Sequence, residues 1–228
     1  MNATEKEPRT KKDTRTEKHP RTETVETGAG TARISWLPAS EPRLLLALGH
    51  GAGGGIEARD LRALAAVLPA HGVSVALVEQ PWRVAGKKLA PAPKTLDTGW
   101  RDLWPVLAAA GLPVVAGGRS AGARVACRTA SGLGARAVLA LSFPLHPPGR
   151  PEKSRANELL ASGVPTLVVQ GGNDPFGGPA EFPPGEYRIT EVPHGDHGFA
   201  VPKRSGVTED QAMEILTSAV TGWLAGIV

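Results

Sequence analysis

The sequence predicts an α/β fold with a mostly parallel central sheet of about seven strands, on three observations. Its short apolar runs are continuous rather than alternating. Segments of helical period separate these runs, and glycine-rich clusters carrying Ser, Asp or His follow several of their ends. Continuous apolar runs suit strands buried on both faces. Alternation of strand, helix and strand implies right-handed crossovers, with helices covering both faces of the sheet.

Residues 1–28 hold seven Lys or Arg, six Asp or Glu and seven Thr, and little that could be buried. They are expected to form a disordered polar tail, leaving 29–228 as one domain. Ile34 to Leu37 predicts an antiparallel edge strand. The runs Leu44–Leu48, Val73–Val78, Pro113–Ala116, Ala137–Ser142, Thr166–Gln170 and Tyr187–Val192 predict the remaining strands. Residues 57–70 set Leu61, Leu64, Ala65 and Leu68 on one helical stripe, and 95–110 do the same with Leu96, Trp100, Leu103, Trp104 and Leu107. A helix is expected around Ser154–Leu160 and a last one over Val207–Leu224. Pro81–Lys94 is expected to be the longest irregular loop.

Composition narrows the functions. The chain is 41% hydrophobic and 21% charged, as globular proteins are. No apolar run approaches the roughly 18 residues that span a bilayer. The N-terminus lacks the apolar core of a secretory signal, and a lone Cys127 forms no internal disulfide, so a cytoplasmic protein is expected. A net charge of +4, with acids and bases interleaved, offers no basic face for nucleic acid. The residues say nothing about oligomeric state.

In parallel sheets, ligands bind beyond the carboxyl ends of the strands. After the Pro113–Ala116 run comes Gly118-Arg119-Ser120-Ala121-Gly122, a G-x-S-x-G between strand and helix. This spacing forms a sharp turn that exposes a strained serine, with small neighbours because backbone passes close by. Small residues inside the following helix, Ala123, Ala126 and Cys127, allow close packing beneath the sheet. His50 to Gly55 reads HGAGGG after Leu44–Leu48; such a loop can aim backbone amides at a developing oxyanion, and Ala52 and Ala121 are assigned that role. A phosphate cradle would need a G-x-x-x-x-G-K or G-x-G-x-x-G pattern that this loop lacks.

Asp174 follows Thr166–Gln170 within GGNDPFG, where a carboxylate could fix an imidazole tautomer. His194 and His197 flank Asp196 in PHGDHGF, before the last helix. His197 is preferred, because Gly198 and an apolar residue follow it, although spacing alone separates the two thinly. A metal site on His194, Asp196 and His197 lacks a further ligand at recognised spacing. No cofactor and no metal are expected. Candidates to line the substrate are His50, Arg83, Arg119 and Phe176. Arg83 could pair with a substrate carboxylate, whereas Arg119 could instead close an ion pair beneath the loop. His146 could also line the site.

The stretches LLLALGHGAGGG, VEQPWRVAGKK, GGRSAGARVACRTA, SFPLHPPGRPEKSR, VVQGGNDPFG and VPHGDHGF resemble the α/β-hydrolase superfamily. More narrowly, they resemble its small dienelactone-hydrolase-like group, which includes testis-expressed and non-specific-lethal-complex relatives. The resemblance implies the α/β-hydrolase fold, with Ser120 as nucleophile, Asp174 as acid and His197 as base. The short stretch between the strand ending near Pro144 and the helix from Ser154 leaves no room for a large lid domain. Dienelactone hydrolases use a cysteine nucleophile where this chain has Ser120, so dienelactone is not the expected substrate. A small ester or thioester is expected, cleaved through an acyl-enzyme. A non-catalytic binding or scaffold protein on the same fold is the alternative.

Overall fold

Every continuous apolar run becomes a strand whose residues alternate between two cores. The computed structural model describes residues 20–227. Its strands are β1 (Arg21–Thr27), β2 (Gly30–Leu37), β3 (Leu44–Gly49), β4 (Val73–Glu79), β5 (Val114–Arg119), β6 (Ala137–Leu141), β7 (Thr166–Gly171) and β8 (Tyr187–Val192). They form one sheet in the order β1-β2-β4-β3-β5-β6-β7-β8. From β4 to β8 all pairs are parallel, while β2 runs antiparallel to both β1 and β4.

Period-two geometry decides which core each residue joins. Leu44, Leu46 and Leu48 of β3 face α1 (Arg59–Val67) and α6 (Glu209–Ala225) through Leu61, Leu64, Leu216 and Val220. Leu45 and Ala47 face the opposite core, which is built on α3 (Pro93–Ala108), α4 (Ala121–Leu133) and α5 (Ala156–Leu160) through residues such as Trp100, Leu103, Ala126 and Leu159. A run buried on both faces therefore has no reason to alternate in hydrophobicity. Among the described residues no helix is long and apolar enough to cross a membrane.

Three expectations need correction. First, the polar tail does not extend to residue 28, because Arg21–Thr27 is strand β1, paired along its length with β2 from Arg21↔Trp36 to Thr27↔Gly30. Among the described residues the sheet therefore has eight strands. Alternate β1 residues Glu23, Val25 and Thr27 are half-buried, Trp36 Nε1 donates to Glu23 Oε2 at 2.9 Å, and the Arg21 guanidinium lies 5.1 Å from the Trp36 ring. Thr is a strong strand former and an edge strand needs only one apolar-facing row, so a count of charges misjudges such a segment. Residues 1–19 of the expected tail lie outside the described residues. Second, Ile34–Leu37 belongs to an antiparallel strand, but β1 covers it and it is not the edge. Third, Pro81–Lys94 is not wholly irregular: it opens with the one-turn helix α2 (Pro81–Val84), and α3 begins at Pro93.

Candidate active site

The site grows from the turn between β5 and α4. Ser120 holds φ 54° and ψ −110°, a conformation costing on the order of 1–3 kcal/mol for a residue with a Cβ. Its neighbours explain why the flanking positions are glycine. A Cβ on Gly122 would lie 2.6 Å from the Gly49 carbonyl oxygen, and one on Gly118 would lie 2.7 Å from both that oxygen and the Gly122 carbonyl carbon. The elbow is thus wedged against the end of β3. Ser120 N–H donates to Leu141 O at 2.9 Å, tying the turn to β6.

Two loops from more distant strand ends build on this hydroxyl, one reaching it directly and the other through the first. His197, after β8, has its Nε2 2.9 Å from Ser120 Oγ and its Nδ1 2.8 Å from Asp174 Oδ2, after β7. An ionised carboxylate only accepts, so the proton sits on Nδ1 and Nε2 is left to accept from the serine hydroxyl. Asp174 is 4% exposed, and its Oδ1 accepts from Phe176 N–H at 2.9 Å. The half-buried Phe176 ring lies 4.2 Å from the imidazole, tilted by 33°, and so packs on His197. Ser120, Asp174 and His197 therefore form one hydrogen-bonded chain.

His194 is not part of that chain. It takes φ 60°, and its carbonyl accepts from Asn173 Nδ2 at 3.3 Å. Asp196 Oδ1 is committed to the amides of Gly198 and Ala200, at 2.7 and 2.9 Å, and shapes the loop that presents His197.

The HGAGGG loop runs beside the nucleophile, since a Cβ on Gly51 would lie 3.3 Å from Ser120 Cβ. Ala52 lies in its exposed turn. Ala121 is the first residue of α4, so the helix itself leaves its amide unbonded. An anion beside Ser120 would also meet the positive end of the α4 dipole.

The expected substrate-lining residues divide. His50 is buried with both ring nitrogens engaged: Nδ1–H donates to Gly51 O at 2.9 Å, and Nε2 accepts from Gln80 N–H at 3.0 Å. Burial holds its pKa below the usual histidine value, which favours the neutral ring that these two hydrogen bonds use to anchor the loop. Arg83, in α2, pairs with Glu57 at 3.2 Å on the surface, so its charge is already countered within the protein. Arg119 turns inward. Its Nη2 donates to the His197 carbonyl at 2.7 Å and its Nε lies 3.2 Å from Asp60 Oδ2. Asp60, at the start of α1, is fully buried, and burial pushes its carboxyl up while Arg119 opposes that shift. His146 is buried beside the acid loop, with Nε2 3.0 Å from Glu181 Oε2 and its backbone N–H on Phe176 O at 3.0 Å. It supports that loop.

Two residues that the sequence did not flag stand close to the chain of three. Asp60 steadies Arg119, and Gln170, at the end of β7, donates to Asp174. Neither carries a local signal. Asp60 reads as an ordinary first-turn acid and Gln170 as the polar end of an apolar strand.

The family described as an alpha/beta hydrolase domain matches residues 41–225. No curated protein matches the sequence. Among solved structures, the chain is similar to a dienelactone hydrolase from Anabaena variabilis, with 18% identity, a TM-score of 0.71, and 91% of this chain and 97% of the other covered. It is also similar to an α/β serine hydrolase without a lid from Xanthomonas campestris, at 16% identity and TM-score 0.69, covering 90% and 94%. Est1E from Butyrivibrio proteoclasticus matches at 15% identity and TM-score 0.68, covering 90% and 98%. At these identities the likeness is one of fold.

Proposed function

The chain belongs to the alpha/beta hydrolase domain family, and from that premise we propose that it is a serine hydrolase that cleaves a small ester or thioester. The carrying observation is the hydrogen-bonded order Ser120, His197, Asp174 on a strained elbow. In the proposed cycle His197 Nε2 takes the Ser120 proton as Oγ attacks the acyl carbon. The resulting imidazolium is held by Asp174, and the oxyanion is met by the amides of Ala52 and Ala121. His197 returns the proton to the departing alcohol or thiol. Water, deprotonated by the same imidazole, then releases the acid and restores Ser120.

The short connection after β6 favours a small substrate. Residues 142–155 hold one short turn of helix, Pro151–Lys153, before α5, and among the described residues no inserted domain roofs the serine. The single, buried Cys127, whose thiol burial pushes up to about 12, fits a reducing cytoplasmic setting. The motif set favours the dienelactone-hydrolase-like group with testis-expressed and non-specific-lethal-complex relatives. The substrate proposed is a small acyl compound, without cofactor, metal, nucleic-acid or membrane partner.

Labelling with a fluorophosphonate probe tests the proposal. The wild type should label, while Ser120→Ala and His197→Ala should not, and Ser120→Ala should lose at least about 10⁴-fold in ester hydrolysis. A folded wild type that neither labels nor hydrolyses short esters would overturn the proposal in favour of a binding protein.

A further inference from the structure

Gln170 is fully buried at the carboxyl end of β7, and its side-chain amide is used from one end only. Nε2 lies 2.9 Å from Asp174 Oδ2, 2.8 Å from Gly177 O and 3.3 Å from Phe143 O. All three neighbours are acceptors, so the NH₂ end must face them. Oε1, on the other side, is buried with no hydrogen-bond partner among the described residues. The fold tolerates a stranded acceptor in order to aim a donor at Asp174 and at the loop that carries it.

The oxygen that Gln170 reaches is the one that binds His197. Asp174 Oδ2 accepts from both Gln170 Nε2 and His197 Nδ1, while Oδ1 accepts from Phe176 N–H. With Oδ1 held by its own loop and Oδ2 held from β7, the carboxylate plane is set by groups outside the hydrogen-bonded chain. We propose that, with Ser120 as the nucleophile proposed above, Gln170 is the positioning residue that orients Asp174. Through Asp174 it keeps His197 in line with Ser120.

A neutral donor is required at this position. A carboxylate there would face the Asp174 carboxylate and the Phe143 and Gly177 carbonyls, and repulsion between like charges so close raises the pKa of the introduced group. A carboxylic acid, by contrast, can still donate one O–H to Asp174. The other titratable groups facing this cluster are His197 itself and His146, which lies across Gly177 and is paired with Glu181.

Gln170→Glu and Gln170→Met, assayed with p-nitrophenyl acetate across pH 5–9, test the proposal beside wild type and Ser120→Ala. Gln170→Met removes the donor at similar size and should lower kcat about 10- to 100-fold at every pH, with KM within about twofold. Gln170→Glu should approach wild-type kcat at the acid end and lose it as the introduced carboxyl ionises, adding an alkaline limb that the wild type lacks. Variants that fold and stay within about twofold of wild type at all pH would overturn the proposal. So would a Gln170→Glu loss equal at every pH, the mark of a packing defect. If Gln170→Met fails to fold, the Gln170→Glu profile decides alone. A wild type without Ser120-dependent hydrolysis overturns the serine-hydrolase proposal and this one together, whereas an active wild type with indifferent variants overturns only the role of Gln170.

Discussion

At the scale of single residues, the site depends on polar groups whose partners lie within the protein. His50 shows how such a partner makes stability pH-dependent. Its folded pKa lies below 6.5 because burial penalises the charged ring, with the Gly51 hydrogen bond opposing. The unfolded chain therefore takes up a proton first as pH falls, so stability is full above about 6.5 and is lost on the way down to the lowered folded value. Charging also places an N–H where the Gln80 amide needs an acceptor. The denaturant midpoint should fall as pH drops from about 7 to 5. His50→Gln, which does not titrate, should flatten that fall; an unchanged slope would show that other groups set it. The same logic separates the two histidines of the PHGDHGF loop. Their spacing is almost equivalent along the chain, and the position of Asp174 in space agrees with the sequence preference for His197.

Strands and helices contribute by close approach. The elbow packs the start of α4 against the end of β3 with no room for one methyl group, since the Gly122 contact would be 2.6 Å to backbone, which cannot swing aside. Gly122→Ala should destabilise by about 1–3 kcal/mol or more through overpacking and should slow fluorophosphonate labelling at least about tenfold by displacing Ser120. Thermal melting and labelling rates check both parts. A variant with wild-type melting and labelling would show that β3 and α4 can part freely. Gly118, Ser120 and Gly122 were legible in the sequence because the requirement lies within five neighbouring residues. β1 was not legible, because its stability comes from β2 and Trp36 rather than from its own composition.

Across the molecule, the helices on one face are joined by charge as well as by apolar packing. Glu158 of α5 accepts from Arg124 and Arg128 of α4, and Arg128 also pairs with Asp97 of α3. Burial raises the Glu158 pKa, but the hydrogen bonds and charges of the two arginines outweigh it and hold the group below its usual 4.5. Stability from this network is therefore present above pH 4.5 and is lost as pH falls through the lowered folded value. Glu158→Gln should lower the melting temperature near pH 7 by several degrees, taking about 1–3 kcal/mol and about 2–4 °C per kcal/mol for a domain of this size. It should also lessen the acid-induced loss. Calorimetry from pH 3 to 7 tests this, and parallel wild-type and variant curves would exclude the network as its source.

The sequence by itself determined what depends on neighbours along the chain. The doubly buried runs from Leu44 to Gln170, the helical stripes between them and the G-x-S-x-G turn are written in local order, because backbone periodicity and steric contact act over a few residues. Only the tertiary structure decided what depends on groups far apart in sequence. It covered Ile34–Leu37 with a polar strand, set His197 at hydrogen-bond distance between Asp174 and Ser120, turned Arg119 inward to Asp60 and aimed Gln170 at the acid. Hydrogen bonds and ion pairs between buried groups act over a few ångströms, so a residue's role in them is set by which strand ends the sheet brings together.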